Sequence, residues 1–335
     1  MKNPLMKIQA PTLILIGIIA LVTPFIGSNA FWIDNSILFA IFSLFSLSVG
    51  MSYGQGGILS MATGAFGAIG GFGSAIAATH YGVSPYFGVF LAVGLPIMLA
   101  YPLARIVTQL SPLPLSIATL VLGSIIEIAI REGGDFTGGY IGLSGIPPIP
   151  IADTPFAMHI FAWACVAVVL YVYCNLIHSA FGRAVTTVRH DSLRAVADGV
   201  NVPGVLAAFF AISAGVAGLG GWLYAHNLSY LSPDSVNLAV SMQVLLMAIV
   251  GGVRKPLGPV IGASLLLLIV SQLPAAETQG MVFGGALILI LLVAPQGLIG
   301  TPWWRFRLKP AAEKTSPRPA VQAQAPAAAR AGDRP

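Results

Sequence analysis

Apolar blocks long enough to be helices through a bilayer recur along nearly the whole chain, separated by short polar joints. They fall at 11–27, 37–53, 58–79, 84–101, 113–130, 156–177, 204–226, 238–252, 257–273 and 280–295. Each is close to the ~20 residues an α-helix needs to cross roughly 30 Å of hydrocarbon. The pattern predicts an all-α, polytopic transmembrane helical bundle of about ten spans. Composition agrees. The 335 residues are 56% apolar and 8% charged, too little charge to clothe a soluble globule of that size.

Charge sets an orientation. With the N-terminus inside, Lys2 and Lys7 precede the first span and Arg105 follows the fourth. Arg183, Arg189 and Arg194 follow the sixth, Arg254 and Lys255 the eighth, and Arg305, Arg307 and Lys309 the tenth. Discounting the far tail, that is eleven cations inside against Arg131 outside. Positive charge close to spans stays cytoplasmic, so both termini are expected inside the cell. Asp34, Glu132, Asp135, Asp153, Asp234 and Glu277 gather on the other side. The expected layout is a cytoplasmic N-terminus (1–10), a transmembrane domain (11–300) with a long cytoplasmic loop (178–203), and a disordered basic tail (301–335).

The remaining composition changes this picture little. A net charge of +5 could point to nucleic acid, but here it is a cytoplasmic rim facing anionic lipid, and no nucleic-acid partner is expected. Cys165 and Cys174 lie nine positions apart in one span, too far along a helix to bond each other. They read as packing residues. The first apolar block runs past Pro24 with no small-residue cleavage site, so it reads as a span and not as a signal peptide.

Two regions depart from the plain apolar helix. From Gly50 to Gly73, nine of twenty-four residues are glycine. Ser52, Gly54, Gln55, Gly56 and Gly57 are expected to unwind the backbone there. Irregular backbone at membrane depth persists only where protein buries it or where it lines a watery cavity. The stretch therefore reads either as close helix packing or as a wall of a translocation path. The second region, 178–203, is the longest polar stretch between spans. Its interior, 183–197, is helix-compatible and is stopped by Asp198, Gly199 and Pro203. Val185, Val188, Leu193 and Val196 recur at helical offsets. It reads as an amphipathic surface helix or as a docking helix for a cytoplasmic partner.

Absences narrow the function. There is no G-x-x-x-x-G-K-[ST] phosphate loop, so no nucleotide hydrolysis by that route is expected of this chain. No H-E-x-x-H or C-x-x-C occurs, and no metal site is expected. His80, His159, His178, His190 and His226 are scattered and read as interfacial. Glu127 is the one Asp, Glu, Lys or Arg inside a span, expected to pair with Arg131 four positions on. Ion-coupled transporters carry acids near the midplane, and their lack argues against that class.

Several strings then recur in one order: Tyr53–Ser60 (YGQGGILS), Gly64–Gly67 (GAFG), Thr137–Pro148 (TGGYIGLSGIPP), Phe181–Arg183, Gly199–Asn201, Leu223–His226 (LYAH), Ser232–Asp234, Gly251–Gly252 with Gly258–Pro259, and Pro295–Gly297. On these the chain resembles the branched-chain amino-acid permease subunits of bacterial ATP-binding-cassette importers, the longer of two paired permeases. The likeness covers roughly residues 37–300. It departs in the cytoplasmic loop, where His190, Ser192 and Val196 replace acids usual in the family and leave the segment more basic. Arg254 and Lys255 also stand where the family is commonly small and neutral.

The resemblance implies a multi-pass protein of the bacterial inner membrane that is not an enzyme. Its implied partners are a paired permease subunit, two cytoplasmic ATPases that bind the ATP, and a periplasmic amino-acid-binding protein. No cofactor is held in this chain. Coupling to the ATPases falls on Arg183, Arg189, His190, Asp191, Arg194, Ala195, Asp198 and Gly199. An aliphatic zwitterion suits a Gly-rich, acid-free path, expected along Tyr53, Gly54, Gln55, Gly57, Ser60, Thr63, Gly64, Gly67 and Gly218. Import of urea or short amides is the alternative within the class. An ATP-independent channel or uniporter is the alternative outside it.

Overall fold

The computed structural model describes residues 8–27 and 29–272, together with 280, 284, 285, 288 and 297–299, all within one compact unit, Met1–Thr301. Most of the block expected at 280–295, the first seven residues and the tail 301–335 lie outside the described residues.

The other nine apolar blocks are helices: α1 (Ala10–Ile26), α2 (Ala30–Val49), α3 (Thr63–Tyr81), α4 (Pro85–Val107), α5 (Pro112–Arg131), α6 (Pro155–His178), α9 (Val202–Leu228), α10 (Leu238–Gly251) and α11 (Gly258–Ser271). The loop after α6 forms α7 (Ala180–His190) and α8 (Ser192–Ala197). Polar joints work as caps, whose side-chain oxygens satisfy amides with no intrahelical partner. Asn29 accepts from Phe31 N, Thr154 from Ala157 N, Asn201 from Gly204 N and Asn237 from Val240 N. Among the described residues, six helical stretches are long and apolar enough to cross a membrane: Ala30–Gln55, Pro85–Val107, Leu113–Arg131, Pro155–His178, Val202–Leu228 and Pro233–Gly251. The glycine-rich α3 is not among them, yet most of it is buried.

The centre of the molecule is α9 packed on α3 and α4, with α2 against α9, α6 and α11. Small residues bring these helices together, since between apolar helices in lipid it is close packing that holds them. A Cβ built on Gly218 of α9 would fall 2.0 Å from the Ala92 carbonyl of α4.

Charged residues sit mainly in the joints between helices, where Arg131 lies with Glu127 and Asp234, and Arg183 and Arg194 lie with Asp191 and Asp198. A two-stranded antiparallel ribbon joins β1 (Leu143–Ser144) to β2 (Tyr230–Leu231), pairing Leu143 with Leu231 and Ser144 with Tyr230. Arg131 donates to Glu127 at 2.8 Å, as the sequence predicts, and also to Asp234 at 2.6 Å. The ribbon was not expected from the sequence.

Two of the histidines that read as interfacial lie near helix ends and are buried by protein. His159 and His226 are only 3% and 2% exposed. His226 Nδ1 donates to the Pro147 carbonyl at 2.7 Å, leaving Nε2 to accept from the Ser74 hydroxyl at 2.8 Å. Thr23 gives its hydroxyl hydrogen to the Ile19 carbonyl, so at 3.2 Å it accepts from His159 Nε2.

Candidate functional site: the helix break and the loop helices after α6

At the foot of α2 the glycine-rich sequence does what its composition predicts. Gly50–Gln55 winds as a single π turn, and 56–62 is irregular before α3 begins. Glycine contributes no side chain to defend a helix, and π turns inside helices gather at functional sites. Ser52 adds to the loosening by turning its hydroxyl back onto the Ser48 carbonyl at 3.1 Å. Gly57 ends the turn at a φ of +72°.

The freed backbone groups find partners from other helices, as burial in an apolar bundle demands. Met61 N donates to Thr119 Oγ1 at 3.1 Å, and Ser116 Oγ donates to the Leu59 carbonyl at 3.2 Å. Gly64 N donates to Ser241 Oγ at 2.8 Å. Tyr173 OH of α6 donates to the Gly50 carbonyl at 3.1 Å. None of these four supporting side chains was picked out from sequence. The available signal was a hydroxyl inside an otherwise apolar span.

The loop after α6 differs from the single helix expected over 183–197. Asp191 is extended (φ −156°, ψ 100°) and splits it into α7 and α8. The side chain of Asp191 accepts from Arg194 N at 3.0 Å and so caps the second helix. Gly199, at φ +80°, closes it, with Val200 N donating to the Ala195 carbonyl and Gly199 N to that of Val196. That pair of bonds is the Schellman stop, which favours glycine at this position. Val185 and Val188 are buried and seat α7, whereas Leu193 and Val196 on α8 are 83% and 61% exposed. Arg183, His190, Asp191, Arg194 and Asp198 line an open hollow of about 520 Å³ beside them. Ala195 is buried beneath, and Arg189 is half-buried.

The two regions singled out from sequence meet. Arg189 Nη1 donates to the Gly54 carbonyl, and its stem passes over Gly57, where a Cβ would lie 3.4 Å from Arg189 Cγ. Burial first, and then the nearby Arg254, draw the Arg189 guanidinium below its ordinary range. From the other side Gln55 Nε2 donates to the Arg254 carbonyl at 3.1 Å. Gly54 itself abuts the turn after α10, with room for no side chain: a Cβ there would lie 1.9 Å from the Val253 carbonyl.

The remaining path candidates lie deeper. Ser60 accepts from Ala62 N at 3.2 Å, Thr63 and Gly64 begin α3, and Gly67 and Gly218 are buried in helix–helix contacts. Tyr53 is half-buried within the π turn itself. Among the described residues no group of three His, Cys, Asp or Glu side chains converges to hold a metal.

Comparison with known proteins places the whole membrane domain in context. The family model described as "Branched-chain amino acid transport system / permease component" matches residues 31–292. The high-affinity branched-chain amino acid transport system permease protein LivM of Escherichia coli K12 is 26% identical over 336 residues, covering 90% of this chain and 77% of the relative. The protein of the same name from Salmonella typhimurium is 27% identical over 326 residues, covering 87% and 75%. LivH of Escherichia coli K12, from the same kind of system, is 32% identical over 129 residues, 37% of this chain and 41% of its own. No solved structure matches the chain.

Proposed function

The chain belongs to the family of branched-chain amino acid transport permease components, and on that footing we propose that it is the membrane-spanning subunit of an ATP-driven importer of branched-chain amino acids. The supporting observation is the joint between α7–α8 and the break in α2. A surface helix pair with an apolar knob at one end is what a separate motor needs, and its direct bond to irregular backbone inside the bundle gives that motor something to move.

In this reading the chain threads the bacterial inner membrane about ten times with both ends in the cytoplasm. The bias of basic residues to one side of the expected spans favours that orientation. Two cytoplasmic ATPases seat on α7–α8 of this chain and of a paired permease. A periplasmic binding protein delivers substrate to the loops around 131–155 and 227–237. Nucleotide-driven closure of the ATPases switches the path from outward- to inward-facing. The path runs beside Tyr53–Thr63, where backbone polar groups meet an acid-free apolar wall, suited to an aliphatic zwitterion.

The test is reconstitution with the paired permease, ATPases and binding protein in vesicles, followed by uptake of leucine, isoleucine, valine, phenylalanine and urea. Uptake of the branched-chain amino acids only when ATP is present bears the reading out. Uptake of urea alone, or flux without ATPase subunits, overturns it.

A further inference from the structure

The π turn at the end of α2 is held at two carbonyls by two different helices. Its first residue, Gly50, accepts from Tyr173 of α6 at 3.1 Å, and its fifth, Gly54, accepts from Arg189 of α7. Between α6 and α7 the chain turns at Ser179, whose backbone is extended. Movement of α7 relative to α6 therefore changes the separation of the two ends of that turn. A turn of this kind resists such a change less than a regular helix does, because its ladder of bonds is already displaced.

We propose that Arg189 is the positioning residue that carries motion of the docking helices into the broken foot of α2. The proposal rests on the reading above that α7–α8 seat an ATPase and that the break borders the path. Three features of the joint suit the role. Arginine has several donors in a fixed fork, so it keeps hold of a carbonyl while its stem tilts. Gly57 leaves space for that stem, whose Cγ would lie 3.4 Å from a Cβ built there. On its far side the break is gripped by Gln55 through the Arg254 carbonyl, and Gly54 abuts Val253, so displacement of Gly54 is passed on to the turn after α10.

The test uses the whole importer in vesicles and measures substrate taken up per nucleotide hydrolysed. Arg189→Ala should leave co-purification of the ATPases and hydrolysis in place while the ratio falls about tenfold, a size common for coupling between sites. Arg189→Lys, which can still reach one carbonyl, should recover part of it. A thiol placed at Leu59 in a cysteine-free background should change its labelling rate with ATP in the parent and not in Arg189→Ala. A ratio within twofold of the parent in Arg189→Ala overturns the proposal, and so does loss of ATPase capture in that variant. Where Arg189→Ala does not assemble, Arg189→Gln decides by the same ratio: a fall supports the role and an unchanged value ends it. If the parent complex itself captures no ATPase, it is the functional reading that fails.

Discussion

Gly221 of α9 lies so close to Gly67 of α3 that a Cβ built on it would fall 1.9 Å from the Gly67 carbonyl. Backbone meets backbone there, and neither helix can retreat without opening the contacts on its other faces. Gly221→Ala is expected to destabilise the bundle by about 1–3 kcal/mol, the usual cost of overpacking. Gly94→Ala on α4, where nothing lies within 4 Å, should leave stability unchanged or raise it by up to about 1 kcal/mol. Thermal unfolding of the two variants in detergent checks the contrast, and equal melting temperatures would contradict this packing.

His226 ties three elements together: its own helix α9, Ser74 of α3 and the loop at Pro147. His226→Phe keeps the bulk but strands a buried hydroxyl and a carbonyl, each costing about 1–3 kcal/mol when unpaired. The double variant with Ser74→Ala removes one of the stranded groups and should regain part of the loss. A double-mutant cycle on unfolding measures it. Strict additivity would mean the histidine and serine are not partners.

Much of this architecture is legible in the chain because it depends on local composition. Length and apolarity placed the helices, and the run of glycines placed the break at 52–57. The Glu127–Arg131 pair followed from helical spacing alone. What was missed depends on partners distant in sequence. His226 reads as an interfacial histidine until Pro147, 79 positions away, arrives at its ring. Ser116, Thr119 and Ser241 look like small residues in apolar spans until the irregular 56–62 segment needs their hydroxyls. Treating 183–197 as one helix passes over Asp191, whose short side chain caps the next helix more favourably than it continues the last. The meeting of Arg189 with Gly54, 135 positions apart, could not be read from either segment.

The apolar knob on α8 supplies a third prediction. Leu193 is 83% exposed, so Leu193→Asp removes almost no internal contact and should not alter unfolding. It should abolish capture of the ATPase subunits. Gly199→Val tests the same element differently, because a β-branched residue is strained at a φ of +80°, and α8 should lose its stop. Uptake should fall while membrane insertion stays normal. Normal capture and uptake in both variants would remove α8 from the docking surface.

Orientation is the last point, and side-specific labelling decides it. Asp153 and Asp191 are both exposed, one just before α6 and the other between α7 and α8. Cys165 and Cys174 are the native thiols, half-buried and buried within α6, so their replacement by alanine gives a quiet background. In that background Asp153→Cys should react with a membrane-impermeant reagent added to intact cells from the periplasmic side. Asp191→Cys should react only after the cytoplasmic face is opened. Because α6 and its flanking loops join these two positions directly, a single crossing separates them, and the result does not depend on the total number of spans. The opposite labelling would place Arg183, Arg189 and Arg194 in the periplasm, against the retention of positive charge in the cytoplasm. It would also put α7–α8 out of reach of any cytoplasmic ATPase.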